Sequence, residues 1–179
     1  MTRPARNRLL AVLFVVSALV AAPRLPDVVL WVVAGLVAPV MLLAFLVTQP
    51  FRKARGLLAD QQYESAATEL AAFEKALDDA PWKRTFASFA VGLYTANPLA
   101  ASRNTLGAVR LEQGKLDEAE RHFKKALEFD EGYGVAWGNL AVLAAMRKDA
   151  AEAELARAKA AELGFKPKLL AAVIQDKLK

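Results

Sequence analysis

The sequence predicts an all-α chain: an N-terminal transmembrane helical hairpin, then a short α-solenoid of stacked helix pairs with a C-terminal capping helix. Three observations carry that reading. Two apolar runs, residues 9–22 and 28–47, precede Gln49. Residues 100–164 superimpose on themselves after a shift of 34 positions. Between these regions, apolar residues recur at the spacing of helix faces.

The composition divides the same way. Of 179 residues 55% are hydrophobic, above the roughly 45–50% of ordinary soluble domains, and the excess lies before Gln49. There is no cysteine, which removes disulfides, thiol nucleophiles and cysteine-ligated metals. The formal charge is +5, yet from Gln49 onward 20 Lys and Arg oppose 18 Asp and Glu. A near-neutral body lacks the basic stripe that nucleic acid requires. No nucleic-acid partner is expected.

Residues 1–48 are read as the membrane anchor, with spans at 9–25 and 28–48. At about 1.5 Å per residue the second run covers roughly 30 Å, the thickness of a hydrocarbon core. Pro39 within it should cause a mild kink, which such spans tolerate. The first run has two readings. Arg3, Arg6 and Arg8 ahead of a short apolar core resemble a secretory signal, with Val20-Ala21-Ala22 as a cleavage site that Pro23 would hinder. Alternatively it is retained, and Ser17 and Ala21 pack closely on Ala34, Gly35 and Ala38. The hairpin is adopted here. Cations flank both ends, at the N-terminus and at Arg52, Lys53 and Arg55, whereas Arg24 and Asp27 balance in the connecting loop. Positive residues stay on the cytoplasmic side, so the remainder of the chain is expected at the cytoplasmic face of a bacterial-type inner membrane.

Residues 49–99 form the junction. Gln49-Pro50 ends or bends the span, and residues 51–60 continue as a helix whose Arg52, Lys53 and Arg55 form a basic membrane-surface patch. Residues 63–80 carry Ala66, Ala67, Leu70, Phe73, Ala76 and Leu77 at helical spacing, and Tyr63-Glu64-Ser65-Ala66 echoes Leu116-Asp117-Glu118-Ala119. This segment is read as a degenerate further copy of the repeat. After Pro81, residues 82–96 are expected as one inserted packing helix, or as one that offers Trp82, Phe89 and Tyr94 as anchors for a partner.

Residues 100–179 hold two repeats and the cap. In the first unit, helix A spans 100–113 and helix B spans 116–130, with Gly114-Lys115 turning between them. Leu106, Gly107 and Leu111 face Ala119, Phe123, Ala126 and Leu127. Gly107 against Ala119, like Ala141 against Ala153, permits a close crossing, and Gly114 suits a left-handed helix end. The second unit spans 135–163, and Gly164 and Pro167 close it. Residues 168–179 are an amphipathic cap of the kind open solenoids need for solubility.

These residues resemble the tetratricopeptide repeat: an early aromatic in helix A, Leu-Gly, a second aromatic, a turn glycine, then Ala, Phe, Ala and a closing proline. Trp137, Leu106-Gly107, Leu140-Ala141, Ala119, Phe123, Ala126, Ala153 and Ala160 match. Arg103, Arg110, Ala144 and Arg157 depart from the aromatic positions, and neither unit has its proline. The resemblance implies an inner groove lined by Ala101, Asn104, Ala108, Leu111, Glu112, Val135, Gly138, Asn139, Val142, Ala145 and Met146. A hydrophobic peptide or partner helix would suit it better than an acidic tail, with Asn104 and Asn139 pairing to its backbone. The alternative is that these residues pack against 82–96 or against a second copy of the chain.

No reaction chemistry is expected. His122 is the single histidine and is read as an exposed helix residue. Without a second histidine or a cysteine there is no metal set. Asp117, Glu118 and Glu120 open a helix, where acids favour its dipole. No loop resembles a phosphate cradle, and no cofactor is expected. The functional expectation is a membrane-anchored protein-interaction adaptor. The alternative is a small integral subunit or assembly factor of a larger membrane complex, its hairpin making the essential contacts.

Overall fold

The computed structural model describes residues 27–90 and 94–165, and there every regular element is a helix. The first apolar run and the capping segment lie outside these residues. Helix α1 spans Asp27–Val47 and α2 spans Gln49–Ala59. Ala34–Val47 and Gln49–Ala59 meet at 47°. Pro50 has no N–H to continue the ladder. Side chains add bonds to carbonyls just before the break: Thr48 Oγ1 donates to Ala44 O at 2.7 Å and Arg52 Nη2 to Phe45 O at 2.9 Å. Among the described residues no single helix is long and apolar enough to cross a membrane. That bent pair passes on length and composition. Ala44 is buried, whereas Leu36, Met41, Leu42, Phe45 and Leu46 are exposed.

Five further helices build helical pairs: α3 (Tyr63–Asp79) with α2, α5 (Pro98–Glu112) with α6 (Leu116–Phe129), and α7 (Gly134–Met146) with α8 (Ala150–Glu162). A shorter helix, α4 (Trp82–Ser88), lies between α3 and α5 in the chain and packs on α1. Each pair turns at a residue with positive φ: Gln61 at 59°, Gly114 at 74° and Lys148 at 62°. Each turn closes with the same bond, from the N–H of Gln62, Lys115 and Asp149 to the carbonyl of Leu57, Arg110 and Ala144, at 2.8, 2.9 and 3.0 Å. Glycine adopts that conformation without steric cost, and the other two residues do not.

The small residues of the close crossings recur in step. Ala54, Gly107 and Ala141 are buried on the first helices, and Ala66 and Ala119 on the second. Their third counterpart, Ala153, is half-buried, because no later pair among the described residues covers α8. The pairs stack through α3 on α5 and α6 on α7. Phe51, Leu70, Phe73, Leu77, Leu106 and Val109 fill the core between the first two pairs; Leu111, Phe123, Leu140, Val142 and Leu143 fill the next. Equivalent turn residues stand 53 and then 34 positions apart, so 19 residues are added between the first two pairs.

Those added residues differ from the single helix expected over 82–96. Helix α4 ends at Ser88, and Tyr94 takes φ 57°. Thr95 and Asn97 are then used as caps. Asn97 Oδ1 accepts from Leu99 N at 3.0 Å, which starts α5 at Pro98 rather than at residue 100. Asn97 Nδ2 donates to Phe129 O at 3.0 Å, and the Thr95 hydroxyl donates to the Asp130 carboxylate. The end of the insertion is thereby pinned to the end of α6.

Candidate functional site

The first helices of the second and third pairs carry the wall expected to receive a partner. Ala101, Asn104, Leu111, Gly138 and Val142 are buried within the chain. Ala108, Val135, Asn139, Ala145 and Met146 are half-buried, and Glu112 is exposed. Ala101 belongs to the core between the first two pairs, and Leu111 and Val142 to the core between the second and third. A Cβ on Gly138 would come within 3.1 Å of the Phe165 ring, so the chain's own C-terminal aromatic covers that position. Asn139 Nδ2 donates to Asn104 Oδ1 at 2.8 Å, so the two amides expected to meet a peptide backbone meet each other. With only three described pairs the wall is short, and the chain closes half of it.

A different concavity is open on the outer side. Helices α6, α7 and α8 border a cleft of about 490 Å³, lined by Lys124, Leu127, Glu128, Glu131, Trp137, Leu140, Glu152, Leu155 and Ala156. Trp137 fixes its floor by donating its indole N–H to Glu131 O at 3.0 Å. Leu155 keeps 66% of its surface exposed beside it. Three carboxylates and one ammonium rim an apolar floor. Such a lining is chemically complementary to an apolar side chain flanked by basic residues. The sequence signal for the cleft was Leu155, an apolar residue outside the buried stripe of its helix.

The basic patch is engaged within the chain. The Arg52 guanidinium lies 3.8 Å over the Phe45 ring and donates to Thr48 Oγ1 at 3.0 Å. Lys53 pairs with Glu69 across the first turn, and Arg55 is exposed. His122 is half-buried rather than exposed, and burial, with Arg103 and Arg110 nearby, holds its pKa below the usual histidine value. No cluster of three or more potential metal ligands exists among the described residues.

No protein-family model matches the chain, and no curated protein does.

Proposed function

We propose that this chain is a membrane-anchored adaptor of the tetratricopeptide type, which holds a protein partner at the cytoplasmic face of a bacterial-type inner membrane. The observation that carries it is the threefold recurrence of one turn and one buried small-residue position, with the same order of stacking at both junctions between pairs. A scaffold of repeated pairs does not itself specify a ligand. The membrane half rests on the exposed apolar side chains of α1, which water solvates poorly, and on the cations flanking the apolar runs. With the inner wall closed, this reading assigns the partner to the cleft of Leu127, Trp137 and Leu155. Its preferred occupant is a helix or peptide that inserts an apolar side chain and sets Lys or Arg against Glu128, Glu131 and Glu152.

The closed wall also favours a second reading, a small integral subunit or assembly factor whose α1 makes the essential contacts. Photo-crosslinking of the full-length protein in its native membrane separates the two, with the reactive side chain placed at Leu155 or at Met41. Adducts to one protein from Leu155 support the adaptor. Adducts from Met41 with none from Leu155 support the subunit and sink the adaptor.

A further inference from the structure

Helix α4 presents a stripe that the core does not use. Trp82, Phe86 and Phe89 follow one another at four- and three-residue steps along one side, while Ala87 on the other side is wholly buried in the core under α3 and α5. Trp82 and Phe89 keep 50% and 52% of their surface exposed, and Tyr94 keeps 70%. Trp82 and Phe86 meet edge to face at 5.7 Å, so the stripe is ordered by its own packing. Scattered apolar residues on a surface need no explanation, but a contiguous group of large ones does.

The neighbours of this group indicate its occupant. Besides α2, the contacts of α1 are with α4. The helix that carries the aromatic stripe therefore adjoins the helix whose Met41, Leu42, Phe45 and Leu46 are exposed. Cations belong to the same short helix: Lys83 Nζ lies 5.9 Å from the Trp82 ring, and Arg84 Nε donates to Leu77 O at 3.2 Å. Trp and Tyr, with an apolar ring and a polar tip, concentrate at the level of lipid headgroups, and Lys and Arg accompany them there.

The geometry points to a second lipid contact: Trp82, Phe89 and Tyr94 seat in the headgroup layer of the bilayer that holds α1, and α4 is the foot on which the helical pairs stand. This rests on the membrane reading of α1. The foot sets the distance and tilt of the repeats from the bilayer, which α1 alone, joined through the bend at Thr48, would leave to rotate. It also gives a role to the 19 added residues, which interrupt the repeat between the first and second pairs.

The three tryptophans, Trp31, Trp82 and Trp137, give the test. Full-length variants retaining one tryptophan each, the others changed to Phe, are reconstituted into phosphatidylcholine–phosphatidylglycerol vesicles with lipids brominated near the carbonyl or near the chain end. Trp82 is expected to lose most of its emission to the shallow bromine and little to the deep one, with a blue-shifted maximum. Trp31 should be quenched by one or both labels, and Trp137 by neither. Quenching of Trp31 without Trp82 overturns the foot and leaves the anchor intact. Quenching of neither removes the anchor and the foot together. Quenching of Trp82 without Trp31 overturns the anchor and, with it, the foot as a second contact on the bilayer that holds α1. If Trp82 variants lose helicity, Tyr94→Trp in a chain otherwise without tryptophan reports the same layer, and its failure to be quenched counts equally against the foot.

Discussion

Gly107 and Phe123 are coupled through space. A Cβ at Gly107 would stand 2.5 Å from two atoms of the Phe123 ring, which is itself fully buried. The equivalent positions of the other pairs hold Ala54 with Leu70 and Ala141 with Arg157, so the glycine occurs where the aromatic occurs. Gly107→Ala should therefore cost about 1–3 kcal/mol through overpacking, more than the roughly 1 kcal/mol that helix propensity returns. In a Phe123→Leu background the same change should become neutral or stabilising. Thermal unfolding followed by circular dichroism across the four-member cycle measures both. The departures from the repeat pattern are also explained at this scale. Arg103, where an aromatic was expected, pairs with Glu74 of α3 at 2.6 Å, beside the buried Ser102 hydroxyl. Arg110, at the second aromatic position, sits 3.1 Å from Glu118 and 3.7 Å from Glu64. Ion pairs join the first two helical pairs where the family pattern would place rings. A charged residue at Leu111 or Val142 would disturb the core, so such a change reports on folding rather than on a groove.

Between elements, a latch repeats along with the turn. Gln113 at the end of α5 donates to Glu64 at the start of α3 at 2.8 Å; Arg147 at the end of α7 pairs with Asp117 and Glu120 at the start of α6. Gln113 and Arg147 are equivalent positions, as are Glu64 and Asp117. Hydrogen bonds from Lys124 and then Arg147 hold the Glu120 carboxyl below the ordinary carboxylate range. A depressed folded-state pKa stabilises above the unfolded value of 4.5, and that contribution is lost as pH falls through the folded value. Glu120→Gln should therefore lower stability at neutral pH by on the order of 0.5–1 kcal/mol, a gap that closes well below pH 4.5. Glu74, raised by burial, acts in the opposite sense, stabilising less as pH rises. It cancels in the difference between the two proteins, as His122 does. Denaturant titrations of both proteins at several pH values measure the gap; a constant gap would exclude an electrostatic latch.

For the whole molecule, the proposed arrangement places the repeats on the side of the membrane where the cations are. A reporter enzyme active only in the cytoplasm, fused after Lys179, should be active. Activity from a periplasmic reporter alone would invert the topology. The two tests of Trp31 and of the fusion are independent, since one reads insertion and the other reads orientation.

The sequence alone determined that the described chain is helical, that one pair turns at Gly114, and that Gly107, Ala119 and Ala141 lie at close crossings; the turns at Gln61 and Lys148 and the approach of Ala54 to Ala66 came from the structure. The former properties follow from local spacing: 3.6-residue periodicity, a glycine at a left-handed turn and alanines where two backbones approach. Even the degenerate first pair could be seen at Tyr63-Glu64-Ser65-Ala66, although its first helix looked like a membrane-surface segment because Arg52, Lys53 and Arg55 mask the buried Phe51 and Ala54. Only tertiary structure decided which surfaces stay open. Whether Leu111 faces a partner or the next pair, whether Gly138 is covered by Phe165, and whether α6, α7 and α8 leave a cleft beside Trp137 depend on how whole helices stack. That stacking is set by contacts between residues 30 or more positions apart, such as Arg147 with Asp117 and Asn139 with Asn104, and the periodicity of a single helix carries no record of them.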